Sequence, residues 1–331
     1  MINVAVVGCG QMASSLARKT AASGRARIAA IVDPDETARS ERSAEFGAPA
    51  FETIEELLEY PGVDAFLVGS PPLYHHENVV ALAPTGKPIY CEKPLCTTAP
   101  LCTEMIDVCA QYNTKLFVGQ VLRLFPLFWK SKEIIDTGAI GEPRLITVRR
   151  SGFGGPFTHG WRTRMGESGG LLLEVNSHEL DYMLYIMGEA ESVFATGFNL
   201  TKHGDFEDAL VVQIRFKSGG LGLLHSSISS PVGEFGIHIQ CSSGNLIHGG
   251  FGGELKYAAF GEKQSTVIKK EDLADRLDPY DIELISFFDW VEHDTPPLFT
   301  GETGRANVAV ADAAYKSLTT GEWEPVSKFG S

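Results

Sequence analysis

Two short stretches of this 331-residue chain carry side chains able to move a proton at a carbinol. The first is Glu92-Lys93-Pro94, a lysine that follows an apolar run and precedes a rigid proline. A lysine ammonium there can hydrogen-bond a hydroxyl, and its charge lowers the pKa of a neighbouring acid–base group. The second stretch runs from Gly169 to Asp181 and holds Glu174, His178 and Asp181. Read as one helix from about Gly170 to Met187, these three follow an i, i+4, i+7 pattern and share a face. A carboxylate, an imidazole and a second carboxylate on one stripe suit a buried polar network, a metal site or an acid–base unit. Metal is disfavoured, because His178-Glu179 lacks the second histidine of a zinc helix and no further ligand is in view. Histidine titrates near neutrality, which suits it to take a hydroxyl proton.

A proton taken from a carbinol must be matched by a hydride acceptor, and the N-terminus carries the pattern for one. The β-branched run Ile2 to Val7 reads as a buried strand. It breaks at Gly8-Cys9-Gly10 and passes into Gln11 to Thr20, which has helix-forming composition. Gly8 allows the turn, Gly10 lets the backbone approach a pyrophosphate, and Ala13 lets the helix pack on the strand. Free N–H groups at the helix start, from Gln11 and Met12 onward, face the phosphates. The next strand, Arg27 to Val32, ends in Asp33, 25 residues after Gly8. That is near the ~20-residue spacing of the carboxylate that grips an adenosine ribose. Asp33 repels a 2′-phosphate and no basic residue follows closely, so the expected cofactor is NAD rather than NADP. The working mechanism follows. His178 removes the hydroxyl proton, Lys93 orients the oxygen, and hydride passes to the nicotinamide; reduction reverses the steps.

These groups need a scaffold, and residues 1–121 supply it as alternating strands and helices. Strands are expected at 2–7, 27–32, 64–69, 88–91 and 115–118, with helices between them. Strands separated by helices imply a parallel, doubly wound Rossmann sheet with right-handed crossovers. Ligands lie at the carboxyl ends of such strands. The expected crevice therefore gathers Gly8, Gly10, Gln11, Met12, Asp33, Ser70, Pro71, Pro72, His75, Glu92, Lys93 and Gln120. Beyond Leu122 the texture changes to helices at 127–137 and 170–187, then strands at 143–150, 190–199, 209–216, 221–229 and 235–241. Turn signals at 217–220 and 242–245 separate several of them. Helices at 279–292 and 302–319 close the chain. The expected second domain, 122–331, is α+β, with a mostly antiparallel, open-faced sheet and helices on one side. An apolar open face invites burial against another copy, so a homodimer or homotetramer through that sheet is expected.

The composition excludes other classes. The charge is 28 − 42 = −14, with no basic patch for nucleic acid or an anionic membrane. Six cysteines at 9, 91, 96, 102, 109 and 241 form no CxxC pair, so reduced thiols in a cytoplasmic protein are expected. Met1 leads straight into the first strand, so no signal peptide is expected, and no apolar run has the length of a membrane helix.

With these pieces together, the sequence resembles the glucose–fructose oxidoreductase/inositol dehydrogenase/rhizopine catabolism (Gfo/Idh/MocA) family over essentially its whole length. The resemblance rests on Gly8 to Ala13, Glu92-Lys93-Pro94, Gly169 to Asp181, and a closing segment from Phe299 to Ala314. It implies a Rossmann domain, an open-faced α/β domain, and NAD(P)-dependent oxidation or reduction of a sugar, inositol or related polyol. By motif, Lys93 matches the family's catalytic lysine and His178 its proton-transferring histidine. Glu174 takes a place usually held by aspartate, one methylene shorter. Trp161-Arg162 resembles a pair near cofactor and substrate, and Leu122 to Pro126 resembles the opening of the second domain, which makes Arg123 a candidate contact. His159, Arg164 and His238 read as ordinary surface or structural residues. Three functions share this architecture: a dehydrogenase or reductase, a glycosidase using tightly held NAD for transient oxidation and elimination, and a non-catalytic NAD-binding regulator.

Overall fold

A computed structural model of the chain describes residues 1–328. Its elements open with β1 (Ile2–Val7), α1 (Gln11–Ala22), β2 (Ala26–Val32), α2 (Glu36–Phe46), β3 (Ala50–Phe51), α3 (Ile54–Leu58), β4 (Ala65–Val68), α4 (His75–Leu82), β5 (Ile89–Cys91), α5 (Ala99–Gln111) and β6 (Leu116–Val118). Next come α6 (Pro126–Asp136), β7 (Pro143–Phe153), α7 (Met165–Ser168), α8 (Gly170–Glu174), α9 (Ser177–Met187), β8 (Ala190–Phe198), β9 (Ala209–Phe216), β10 (Leu221–Ser227) and β11 (Ser229–Cys241). The chain closes with β12 (Gly244–His248), β13 (Glu254–Ala259), β14 (Thr266–Lys269), α10 (Pro279–His293), α11 (Gly301–Thr320) and β15 (Glu324–Pro325). Among the described residues no helix is long and apolar enough to cross a membrane.

The chain divides into two units. The first comprises Met1–Gln120 and Tyr280–Val308; the second comprises Val121–Pro279 and the described residues from Ala309 onward. The division after Gln120 falls where the alternating pattern ends. The return of residues 280–308 to the first unit was not part of the sequence expectation, which assigned everything after 122 to the second. Its cause is aromatic. Phe287 of α10 packs edge-on against Tyr90 and Phe117, each 5.7 Å away, and Phe299 reaches Phe117 at 5.8 Å. All four rings are almost wholly buried, which outweighs sequence distance. Ion pairs Lys19–Asp281 and Arg25–Asp289, at 2.8 and 2.7 Å, tie the same segment to α1 and the loop after it.

The first unit holds a parallel sheet in the order β3-β2-β1-β4-β5-β6. Its central strands are buried on both faces, as in β4, where Ala65 to Val68 are all closed to solvent. Continuous apolar strands of this kind belong to sheets covered by helices on both sides. The order reverses at β1, so the loops after β1 and β4 flank the switch point where such sheets take ligands.

The second unit holds a nine-stranded sheet in the order β14-β13-β12-β11-β7-β10-β9-β8-β15. It is antiparallel except between β7 and β10, which pair in parallel. Strand alternation sorts its faces: in β7, Ile146 and Val148 are buried while Arg149 is exposed. Strands β12 to β14 carried too weak an alternation to be expected, and they extend the sheet beyond β11. A cleft of about 520 Å³ opens against β7, β11, β12 and β13, lined by Thr147, Arg149, His238 and Lys256 among others. Neither Glu174 nor His178 is among its lining residues.

Candidate functional site

In the first unit the glycine turn is closed by sterics and by one carboxylate. Gly8 sits at φ +95, and a Cβ there would stand 2.7 Å from the Ser70 backbone nitrogen, so no L side chain fits. Gly69 meets the turn from the other side, because a Cβ on it would strike Ala13 at 2.7 Å. Gly10, by contrast, has nothing within 4 Å of where a Cβ would be. It is the N-cap of α1 and provides no side-chain cap, so the first N–H groups of that helix are left for an external acceptor. Gln11 and Met12 lie exposed beside it. Asp33 accepts from the Cys9 amide at 2.7 Å and from the Asp35 amide at 2.9 Å, which ties the end of β2 to the turn after β1. Asp35, and not Asp33, caps α2, accepting from Ala38 at 2.8 Å.

Two basic residues of α2 have engaged guanidinium groups. Arg39 spends its guanidinium on the Asp33 and Pro34 carbonyls at 3.4 and 2.9 Å. Arg42 pairs with Glu41 at 3.0 Å and with Glu45. Burial and the Asp33 charge push the Cys9 thiol up to about 12, so it stays protonated in the turn and is no nucleophile.

The remaining residues of this half lie at the ends of β4, β5 and β6. Pro71 leads into a short turn that begins at Pro72, and the Ser70 hydroxyl accepts from Asn78 at 2.9 Å. His75 is 1% exposed, and its two ring nitrogens face the Pro94 and Ser70 carbonyls at 2.9 and 2.7 Å. From sequence it is expected beside the cofactor; its ring nitrogens also bridge these two loops. Glu92 is also internal, accepting from the Lys93 amide at 3.0 Å. Lys93 itself is partly exposed, and the peptide that follows it is cis. At the end of β6, both polar atoms of the Gln120 amide are buried without a hydrogen-bond partner. Such an amide costs free energy unless something satisfies it. The open Gly10, the uncapped helix start, the locked Asp33 and the orphaned Gln120 amide fit a bound dinucleotide.

In the second unit, the single helix expected over 170–187 does not form. Helix α8 stops at Glu174 and α9 starts at Ser177, with Asn176 between them at φ −96, ψ 4. Glu174 therefore does not share a continuous helical face with His178 and Asp181. The Val175 amide bonds the Leu171 carbonyl in the α pattern and the Asn176 amide reaches the same carbonyl from one residue further on, each at 3.1 Å, a π-type turn that widens and ends the first helix. Glu174 is held by Arg162, whose Nε donates at 2.9 Å, and the Arg162 guanidinium lies 4.3 Å from the Trp161 ring. His178 is partly exposed in the first turn of α9.

Asp181 points elsewhere. It is fully buried and accepts two hydrogen bonds from Arg123, at 2.7 and 2.5 Å. Burial pushes its carboxyl above the usual aspartate range while Arg123 pulls against that shift. Arg123, a candidate contact from sequence, is thus bound into this pair, with its guanidinium 4.5 Å from the Tyr185 ring. Arg164 pairs with Glu167 at 2.8 Å, His238 is 3.4 Å from Asn245, and His159 is exposed on a loop. Sequence reading passed over Arg150, Asn176 and Glu179, which meet behind the break. The one signal available was Glu179 itself, a charge beside Leu180 on a helix otherwise mostly apolar.

Residues 2–120 match a model described as an oxidoreductase family with an NAD-binding Rossmann fold, and residues 128–247 match the GFO/IDH/MocA C-terminal domain. The chain belongs to the Gfo/Idh/MocA family. It is 31% identical to the myo-inositol 2-dehydrogenase of Thermotoga maritima over 96% of both chains. It is 28% identical to the 2,7-anhydro-N-acetylneuraminate hydratase of Escherichia coli, over 76% of this chain and 71% of that one. Among solved structures, the WlbA dehydrogenase of Bordetella pertussis, in complex with NADH and UDP-GlcNAcA, superposes with a TM-score of 0.89 at 22% identity, covering 99% and 98% of the two chains. As a Gfo/Idh/MocA protein the chain is an oxidoreductase with an NAD-binding domain.

Proposed function

We propose that this oxidoreductase moves hydride between NAD and a carbinol or ketone of a sugar, inositol or related polyol. The observation that carries the reading is an intact dinucleotide turn together with Lys93 and His178, in a chain whose full-length relatives include a myo-inositol dehydrogenase. NAD, when bound, supplies the hydride acceptor. In oxidation His178 takes the hydroxyl proton and Lys93 hydrogen-bonds the same oxygen, holding the alkoxide character that develops there. Glu174, steadied by Arg162, accepts from a neighbouring substrate hydroxyl or from His178 and fixes which carbon is presented. Arg162 and Trp161 shape the wall beside it. The chemistry asks of the protein only alignment and charge.

The test is absorbance at 340 nm with NAD and NADP against inositols, aldoses, sugar acids and glycosides. NADH accumulation, reduced by roughly 10²–10⁴ in Lys93→Ala and in His178→Asn, supports the dehydrogenase. Unchanged turnover in either variant overturns the residue assignment. A second reading draws on the hydratase relative: a redox-neutral reaction through transient oxidation and elimination. It would release aglycone or hydrated sugar with a flat 340 nm trace. NAD binding with silence in both readouts leaves an untested substrate, a reductase needing a keto-sugar, or a regulator.

We also propose a homodimer or homotetramer through the open face of the nine-stranded sheet, where Phe198, Leu221 and Ile247 are exposed. Light scattering that returns a monomer at micromolar concentration removes the idea. All six cysteines are unpaired thiols, five of them buried, which suits a reducing cytoplasm.

A further inference from the structure

Behind the gap between α8 and α9 lies a partly buried charged cluster that the mechanism above does not use. Arg150, on β7, donates from one Nη1 to two acceptors: Glu179 Oε1 at 2.6 Å and the Val175 carbonyl at 3.2 Å. The other Glu179 oxygen accepts from Asn176 Nδ2 at 3.0 Å. Glu179 and Asn176 are each 0% exposed. The carboxylate fixes which way the Asn176 amide points, because an amide oxygen turned toward it would be repelled. The cost is visible on the far side, where Asn176 Oδ1 is buried without a hydrogen-bond partner. Arg150 keeps 31% of its side chain exposed while Glu179 is wholly buried, and a buried carboxylate and a half-satisfied amide are expensive to hold. Their bonds go to the places that must stay open for the helix to be broken. The Val175 carbonyl is engaged sideways by Arg150, and the Asn176 side chain bridges the first turn of α9.

We propose that Arg150, through Glu179 and the Val175 carbonyl, is a positioning residue that holds the break at Val175–Asn176 and so sets where Glu174 stands relative to His178. Without it, the apolar run from Leu171 to Val175 and the run from Leu180 onward lose the tether that separates them, and the two helical segments are free to merge or slide. The functional weight of this placement rests on the reading that Glu174 and His178 act on substrate. The placement itself does not depend on that reading.

The experiment uses the NAD-loaded protein with ¹³C-labelled histidine, and the His178 ring signal is assigned by its loss in His178→Asn. In the native background, Glu174→Gln is expected to move that signal, because the carboxylate stands in a fixed relation to the ring. In Arg150→Met and in Glu179→Gln the signal is expected to respond to Glu174→Gln by less than half as much. Arg150→Lys, which keeps a charged donor, is expected to restore most of the response. An equal response in all backgrounds overturns the proposal, as does no response in the native one. A loss of thermal stability with the response intact assigns the cluster to stability alone. Turnover of myo-inositol with NAD is read in parallel. If His178→Asn keeps that turnover while the ring signals behave as expected, the functional reading fails and the positioning role stands.

Discussion

The glycine turn of the first unit and the helix break of the second both present groups suited to chemistry, yet different forces hold them. The turn is held by backbone. Gly8 has no room for a Cβ, Gly10 keeps the surface above it open, and one carboxylate, Asp33, ties two loops through amide donors. The break is held by side chains. Arg150, Glu179 and Asn176 close it from behind, Arg162 steadies Glu174, and Arg123 takes Asp181 out of the expected row. A backbone device has one solution that only glycine meets. A side-chain device can be built from many residue sets, and its partners come from distant strands.

The contrast can be broken most severely at Arg123. Arg123→Met leaves the Asp181 carboxylate buried without its guanidinium and should cost about 3–5 kcal/mol in urea unfolding. The same change at Arg162, whose pair with Glu174 is 38% exposed on the arginine side, should cost under about 1 kcal/mol while still altering turnover. Equal costs would show that the two pairs do the same work.

Gly8→Ala strikes the backbone device. It forces an L residue to φ +95 against Ser70, a strain of about 3 kcal/mol. NAD affinity should fall by roughly 100-fold, read by NADH fluorescence titration. Near-native affinity would mean that the turn tolerates more than its geometry suggests.

A pH effect is expected in the second unit. His248 is 4% exposed, its ring 4.8 Å from Phe128, and burial holds its pKa down to about 3. The unfolded chain titrates near the ordinary value of about 6.5. The contribution is therefore complete above about pH 6.5 and is lost as pH falls through that value toward 3, by about 3 kcal/mol at pH 4. His248→Phe should flatten that part of the stability curve. A slope unchanged in this variant would assign the acid lability to other groups.

The smallest effect is expected at Asp33. NAD should be favoured over NADP in kcat/KM, and Asp33→Ser should narrow the ratio by about tenfold. A native preference for NADP would show that Arg39 and Arg42 are less fully engaged than their bonds to carbonyls and glutamates indicate.

The parallel sheet, the glycine turn and the carboxylate after β2 were legible in sequence because each is written locally. A β-branched run, a glycine that must take positive φ and an acidic residue at a strand end need no distant partner to be recognised. The helix spacing of 174, 178 and 181 was legible too, and it misled. Periodicity describes what a segment prefers alone, whereas Arg150 from β7 and Arg123 from before α6 settle what this one does. The return of residues 280–308 to the first unit was hidden for the same reason: its cause is Phe287 and Phe299 meeting Tyr90 and Phe117. By itself, then, the sequence determined the elements, their alternation and the residue types that can bind a dinucleotide and carry a proton. Tertiary structure alone decided which of those charges are spent on each other, because burial makes an unpaired charge too costly to leave and chooses its partner by proximity in space.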